Sequence, residues 1–238
     1  MELNSSLLQI SGLGHYYAKK LEYLGIKTVW DLLNHYPFRY DDFSQISTVN
    51  EAKVGEKVSI IGEIWSIKNI FTRNKKLITT AIFNDGESPI ELTWFNQSWL
   101  IKQIKTGDRL QVSGKLTKYK NKLSIMAPVW ERAATGLPST DYRLPTLHTG
   151  RLVPVYPETS GLTSKFLRTK ISHLLPLVKH QIEDPLPEEI KNGMLSLPDA
   201  IEKIHFPDSW AESEKARERL GFDELFYIQL ATLKARHD

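Results

Sequence analysis

Val58-Ser59-Ile60-Ile61-Gly62-Glu63-Ile64 and Leu110-Gln111-Val112-Ser113-Gly114-Lys115-Leu116 share one alternation of apolar and polar residues, each with a glycine inside it. Period two places Val58, Ile60 and Ile64 on one face of a strand, and Leu110, Val112 and Leu116 on one face of another. A glycine inside such a run lets a barrel wall bend or bulge. Working outward, residues 57–69, 76–85, 89–95, 109–119 and 122–129 read as strands, with a helix over 97–104 between the third and fourth. Strand, strand, strand, helix, strand, strand is the order of an OB-fold, a small Greek-key barrel that commonly binds nucleic-acid strands. The expected fold class is α+β: a five-stranded OB-fold β-barrel flanked by N-terminal and C-terminal helical segments. The expected division is 1–50 helical, 51–133 barrel, and 134–238 linker and helical segment.

The 238 residues suffice for one large domain or two modest ones. The net charge of +3 hides an uneven distribution: residues 57–122 hold twelve Lys or Arg against five Asp or Glu. Such a basic field favours polyanions, unless it is simply a solvated lysine-rich surface. The absence of cysteine excludes disulfides and thiolate zinc sites. The histidines are scattered without a ligand spacing, so no metal site is expected. No apolar run approaches the ~20 residues that cross a bilayer, and the opening Met-Glu-Leu-Asn-Ser lacks the regions of a signal peptide. A cytoplasmic chain without a membrane partner follows as the expectation. There is no Gly-x-x-x-x-Gly-Lys-Ser/Thr phosphate loop, Gly-x-Ser-x-Gly elbow or His-Glu-x-x-His pair. Neither a catalytic residue nor a cofactor is expected in this chain.

The first forty residues read as helices. Tyr17, Leu21 and Leu24 share one helical face, Gly25 ends that helix, and Thr28 is a natural N-cap for the next. The turn Ser11-Gly12-Leu13-Gly14 before them resembles that of a helix-hairpin-helix unit. Gly12 and Gly14 can offer backbone N–H groups to a phosphate, or the hairpin merely packs on the barrel. In Tyr36-Pro37-Phe38-Arg39-Tyr40-Asp41-Asp42 the aromatics can plug the space between helices and barrel, with Arg39 on a phosphate or paired with Asp41 or Asp42.

The barrel's chemistry lies in three places. Phe71-Thr72-Arg73-Asn74-Lys75-Lys76, between the first two strands, is basic with an aromatic at its edge, and Lys118-Tyr119-Lys120-Asn121-Lys122 repeats that composition. These are the loops that flank the binding face of OB-folds. Cations there follow phosphates while flat side chains receive bases; the alternative is a pair of plain surface hairpins. The third place is Trp94-Phe95-Asn96-Gln97-Ser98-Trp99, where a strand ends and a helix begins. Phe95 and Trp99 can lie close together at the rim and stack on bases, or pack into the core. After the barrel, residues 134–142 read as a connection, 153–157 as a strand, and a helix starts near Thr163 with Leu162, Phe166, Leu167 and Ile171 on its buried side. Residues 216–236 read as an amphipathic helix with the stripe Phe222, Leu225, Phe226, Ile228 and Leu233, which needs a partner surface.

Several phrases together resemble the N-terminal part of the bacterial RecG-type ATP-dependent DNA helicases. They are Ile10-Ser11-Gly12-Leu13-Gly14, Leu24-Gly25-Ile26-Lys27-Thr28-Val29-Trp30-Asp31-Leu32-Leu33, His35-Tyr36-Pro37-Phe38-Arg39-Tyr40, Trp94-Phe95-Asn96-Gln97, Val155-Tyr156-Pro157 with Gly161-Leu162, Ile204-His205-Phe206-Pro207, and Arg219-Leu220-Gly221-Phe222-Asp223-Glu224-Leu225-Phe226. Gly221, where alanine is usual, and the turn Asp85-Gly86-Glu87-Ser88 depart from the pattern. The resemblance implies that the barrel is a wedge, splitting the arms of stalled replication forks or Holliday junctions while a motor pulls duplex through. It implies that Phe95 and Trp99 stack on opened bases, with Arg73, Lys75, Lys76, Asn96, Lys118, Tyr119, Lys120 and Lys122 as further DNA contacts. The implied partners are branched DNA and motor domains C-terminal to residue 238, which use ATP and Mg²⁺; a monomer in the bacterial cytoplasm, at the nucleoid, is expected. Other readings of the residues are an OB module for RNA, of the tRNA anticodon-binding type, and a protein-docking scaffold built on the terminal helix.

Overall fold

The computed structural model describes residues 1–72, 75–119, 122–133 and 146–237. Along the chain run helices α1 (His15–Glu22) and α2 (Val29–Leu33), strands β1 (Arg39–Asp42), β2 (Lys57–Phe71), β3 (Leu77–Asn84) and β4 (Pro89–Phe95), and helix α3 (Leu100–Gln103). Strands β5 (Arg109–Tyr119), β6 (Lys122–Met126), β7 (Val129–Arg132) and β8 (Leu152–Val155) follow, then helices α4 (Ser164–Val178), α5 (Glu188–Lys191), α6 (Leu197–His205) and α7 (Trp210–His237). Two compact units form: Asp42–Val153, and Met1–Asp41 together with Pro154–Asp238. This division differs from the three consecutive segments expected, because the helices at the two ends of the chain share one core. The expected connection over 134–142 lies outside the described residues.

The barrel closes because β2 is long enough to pair twice. Lys57–Glu63 runs antiparallel to Arg109–Lys115 of β5, and Glu63–Phe71 antiparallel to β3. The sheet order β2-β3-β4-β6-β5, with β5 returning to β2 and β4 parallel to β6, is the OB topology. The glycines allow close approach rather than a bulge. A Cβ on Gly62 would lie 2.3 Å from the Asn84 carbonyl oxygen, and one on Gly114 2.4 Å from Ile125 Cγ2. The bulge itself falls between Ile64 and Ser66, and so re-aims Trp65. Alternation sends Val58, Ile60, Ile64, Phe83, Leu92, Trp94, Val112 and Ile125 inward, and Leu100 and Ile104 seal one end.

Two expected elements are cut short. The fifth strand breaks after Met126: Ala127 adopts a left-handed φ of 48°, Pro128 has no N–H to extend the ladder, and the chain re-enters as β7 along the same edge of β5, one residue out of register. The helix expected over 97–104 is one turn, Leu100–Gln103. Asn96 (φ 56°) still donates to the Leu77 carbonyl, and the Gln97 and Ser98 carbonyls are taken by Thr79 Oγ1 (3.0 Å) and Asn69 Nδ2 (3.1 Å). Those carbonyls fix a turn where helix was expected.

In the other unit Thr28 and Asp31 form a capping box on α2, and Thr163 caps α4. Leu21, Leu32, Leu33, Tyr156, Leu162, Leu167, Ile171 and Ile201 make one core, against which Phe166 lies stacked on Tyr17 at 4.2 Å. Tyr40 is buried with its hydroxyl on the Ile204 carbonyl, but Phe38 is 57% exposed. Helix α7 also departs from the expected stripe. Its buried side carries Ser213, Ala216, Arg219 and Asp223, while Leu225, Tyr227, Ile228, Leu230 and Leu233 are exposed.

Candidate nucleic-acid interface

The rim is built by strand alternation at the end of β4. Ile90, Leu92 and Trp94 point inward, and Trp94 is sealed with its indole N–H on the Pro128 carbonyl at 2.9 Å. Phe95 therefore points outward and is 48% exposed. It continues an outer row, Ile70–Ile78–Phe95, set by the pairing of β2, β3 and β4. Trp99 precedes the single turn of α3 and is 47% exposed. The core-packing alternative is thus realised by Trp94, not by Phe95 or Trp99. Among the described residues neither exposed ring stacks on another aromatic, nor do the two touch each other. Asn69 and Thr79, which hold Gln97 and Ser98, set the approach to Trp99; no sequence signal marked them out.

The loop after β2 reaches the same end. Thr72 N–H donates to the Lys76 carbonyl (2.8 Å), and Lys75 N–H to that of Thr72 (2.9 Å), with Lys75 at φ 54°. This tight turn leaves the side chains of Lys75 and Lys76 exposed beside Asn96, whose strand continuation pairs with Leu77. Arg73 lies outside the described residues. The β5–β6 hairpin lies elsewhere. Lys118 pairs with Leu123 and Tyr119 with Lys122, while Glu91 stands opposite Ser124. Lys122 is consequently level with Pro89, the far end of β4 from Phe95, roughly 20 Å along the strand at ~3.3 Å per residue. Lys118 and Lys122 are exposed, and Lys120 lies outside the described residues. The candidate surface is accordingly two basic ends joined by the outer face of β4 and β6, where Thr93 stands opposite the exposed Met126. None of Lys75, Lys76, Lys118 and Lys122 forms an ion pair among the described residues.

The other candidates fall in the helical unit. Gly12 has φ +69°, Gly14 is the N-cap of α1 without a side-chain cap, and Lys170 Nζ donates to the Ser11 carbonyl at 2.9 Å. Arg39 is paired with Asp41 and lies over the Phe38 ring, which is the ion-pair reading of that phrase. Among the described residues no group of His, Asp and Glu could hold a metal ion, and no helix is long and apolar enough to cross a membrane.

A family model described as the RecG wedge domain matches residues 8–178. The ATP-dependent DNA helicase RecG of Thermotoga maritima is 33% identical over 242 residues, covering 100% of this chain and 30% of that protein. The Escherichia coli K12 protein of the same name is 30% identical over 239 residues, covering 97% of this chain and 33% of that protein. The chain thus spans about a third of the length of these relatives. A solved structure of RecG bound to a three-way DNA junction superposes with a TM-score of 0.78 at 32% identity, over 99% of this chain and 32% of that one. The closed barrel and the family match agree, and the chain belongs to the RecG wedge domain family.

Proposed function

We propose that this chain is the branched-DNA-binding wedge of a RecG-type helicase, and that it separates strands at stalled replication forks and Holliday junctions in recombination and repair. The observation that carries the reading is Phe95 and Trp99 half exposed at one end of a basic barrel whose adjoining indole, Trp94, is sealed. Large exposed rings are costly unless something covers them, and a nucleobase is the flat surface that phosphate-following lysines bring with it.

Magnitudes divide the labour. A base stacked on an aromatic gains roughly 1–3 kcal/mol, against about 1.4 kcal/mol for one lost DNA stacking step. Two rings hold one opened pair open but do not drive the next one apart. Advance needs work from the parent protein's motor domains, which lie C-terminal to this segment and consume ATP with Mg²⁺. The exposed apolar residues Leu225, Ile228 and Leu233 of α7 are the surface we assign to those domains. The parent acts as a monomer in the bacterial cytoplasm, at the nucleoid.

Fluorescence anisotropy of the 238-residue chain on forked and linear duplex DNA tests this. Phe95→Ala and Trp99→Ala should each weaken fork binding by about 5- to 150-fold, with little change on duplex. Lys76→Ala should weaken all DNAs and make the log–log salt slope shallower by about one. Equal affinity of the intact chain for fork and duplex, or displacement of fork by equimolar tRNA, rejects the reading.

A further inference from the structure

We propose that Phe71 is a third base-stacking ring of this rim, placed on the Trp99 side of the sheet and serving the same DNA strand as Trp99. The inference rests on the stacking reading of the rim given above. Phe71 is the last residue of β2 and is 73% exposed, more than either Phe95 or Trp99. The barrel core does not use it, and Lys75 and Lys76 follow within the same tight turn.

Its direction follows from the strand register. Ile70 pairs with Ile78 and Ile78 with Phe95, so these three side chains leave one face of the sheet. Phe71 pairs with Leu77, one residue on, and leaves the opposite face together with Asn69. On that opposite face Asn69 Nδ2 donates to the Ser98 carbonyl at 3.1 Å, and Thr79 Oγ1 lies 2.7 Å from Asn69 Oδ1 and 3.0 Å from the Gln97 carbonyl. The backbone entering Trp99 is therefore anchored on the side from which Phe71 projects. The sheet end divides Phe95 from Phe71 and from the backbone that carries Trp99, so that a strand received by Trp99 next meets Phe71, with the ammonium groups of Lys75 and Lys76 following for the phosphates.

The 238-residue chain is tested on forks carrying 2-aminopurine at the branch-point base of either strand. Phe71→Ala should weaken fork binding at least about fivefold, leave linear duplex binding unchanged, and dequench the probe on the strand that responds to Trp99→Ala. Phe71→Trp should restore both readouts. In double-mutant cycles Phe71→Ala should couple to Trp99→Ala and add to Phe95→Ala. Because the ring is exposed, circular dichroism and the urea midpoint should not move. Full fork binding by Phe71→Ala while Trp99→Ala is impaired overturns this inference and leaves the rim reading standing. Coupling to Phe95 instead of Trp99 overturns the strand assignment. If all three alanine variants bind like the intact chain, the rim reading itself fails.

Discussion

His205 shows how far one side chain is governed by what packs on it. Its ring is fully buried; Nε2 donates to the Leu33 carbonyl at 2.8 Å, which leaves Nδ1 to accept from the Tyr156 hydroxyl at 2.9 Å. Burial pulls its pKa down to about 4, against the Leu33 carbonyl, which favours the charged form. The same ring in the unfolded chain protonates near 6.5. Between those values the unfolded state binds more protons, so stability is full above pH 6.5 and is lost as pH falls toward 4. Urea midpoints should drop from pH 7 to pH 5, and His205→Asn should be less stable at pH 7 but show a flatter pH response over that interval. A variant as steep as the intact protein would place the pH dependence elsewhere. At the rim the decisive distinction was local. Ile90, Leu92 and Trp94 already point one way in the sequence, which commits Phe95 to the other face. Trp99 follows a turn instead of a strand, so its exposure depends on Asn69 and Thr79 and was not legible.

At the scale of elements, α7 separates propensity from packing. Arg219 is buried and binds Asp184 through Nη1 (3.0 Å) and Nη2 (2.8 Å), Asp223 through Nε (3.1 Å), and the Leu195 carbonyl (2.7 Å). The Arg219 hydrogen bonds hold the Asp184 carboxyl well below the usual carboxylate range. This polar anchor, and not an apolar stripe, fixes the first half of the helix. Two residues on, Gly221 sits in the helix interior, and a Cβ added there would meet nothing within 4 Å. Gly221→Ala should stabilise the chain by about 0.5–1 kcal/mol through backbone entropy alone. Chemical denaturation at pH 7 checks this, and an unchanged or lower midpoint counts against it. The fifth strand, expected to run unbroken over 122–129, is interrupted at Ala127 and Pro128, and β7 resumes on the same edge of β5 one residue out of register.

At the scale of the whole molecule, the exposed half of α7 has a measurable consequence. Trp210–Asp223 is anchored, whereas Leu225, Tyr227, Ile228, Leu230 and Leu233 spread around the helix with few buried contacts. Amide hydrogen exchange of the chain should be slow through Asp223 and fast from Leu225 onward. Uniform protection to residue 236 would show that the stripe is already covered. The sequence by itself determined the barrel, its strand order, the helix cap at Thr28, the helix start near Thr163, and the basic loops, because period-two alternation, glycine, proline and capping residues act over a few neighbours. Tertiary structure alone decided that the two ends of the chain share a core, as His205 meeting the Leu33 carbonyl across 172 residues shows. It also decided that Trp99 stays in solvent, since burial there is set by the segment that arrives to cover the turn, and nothing local encodes its arrival.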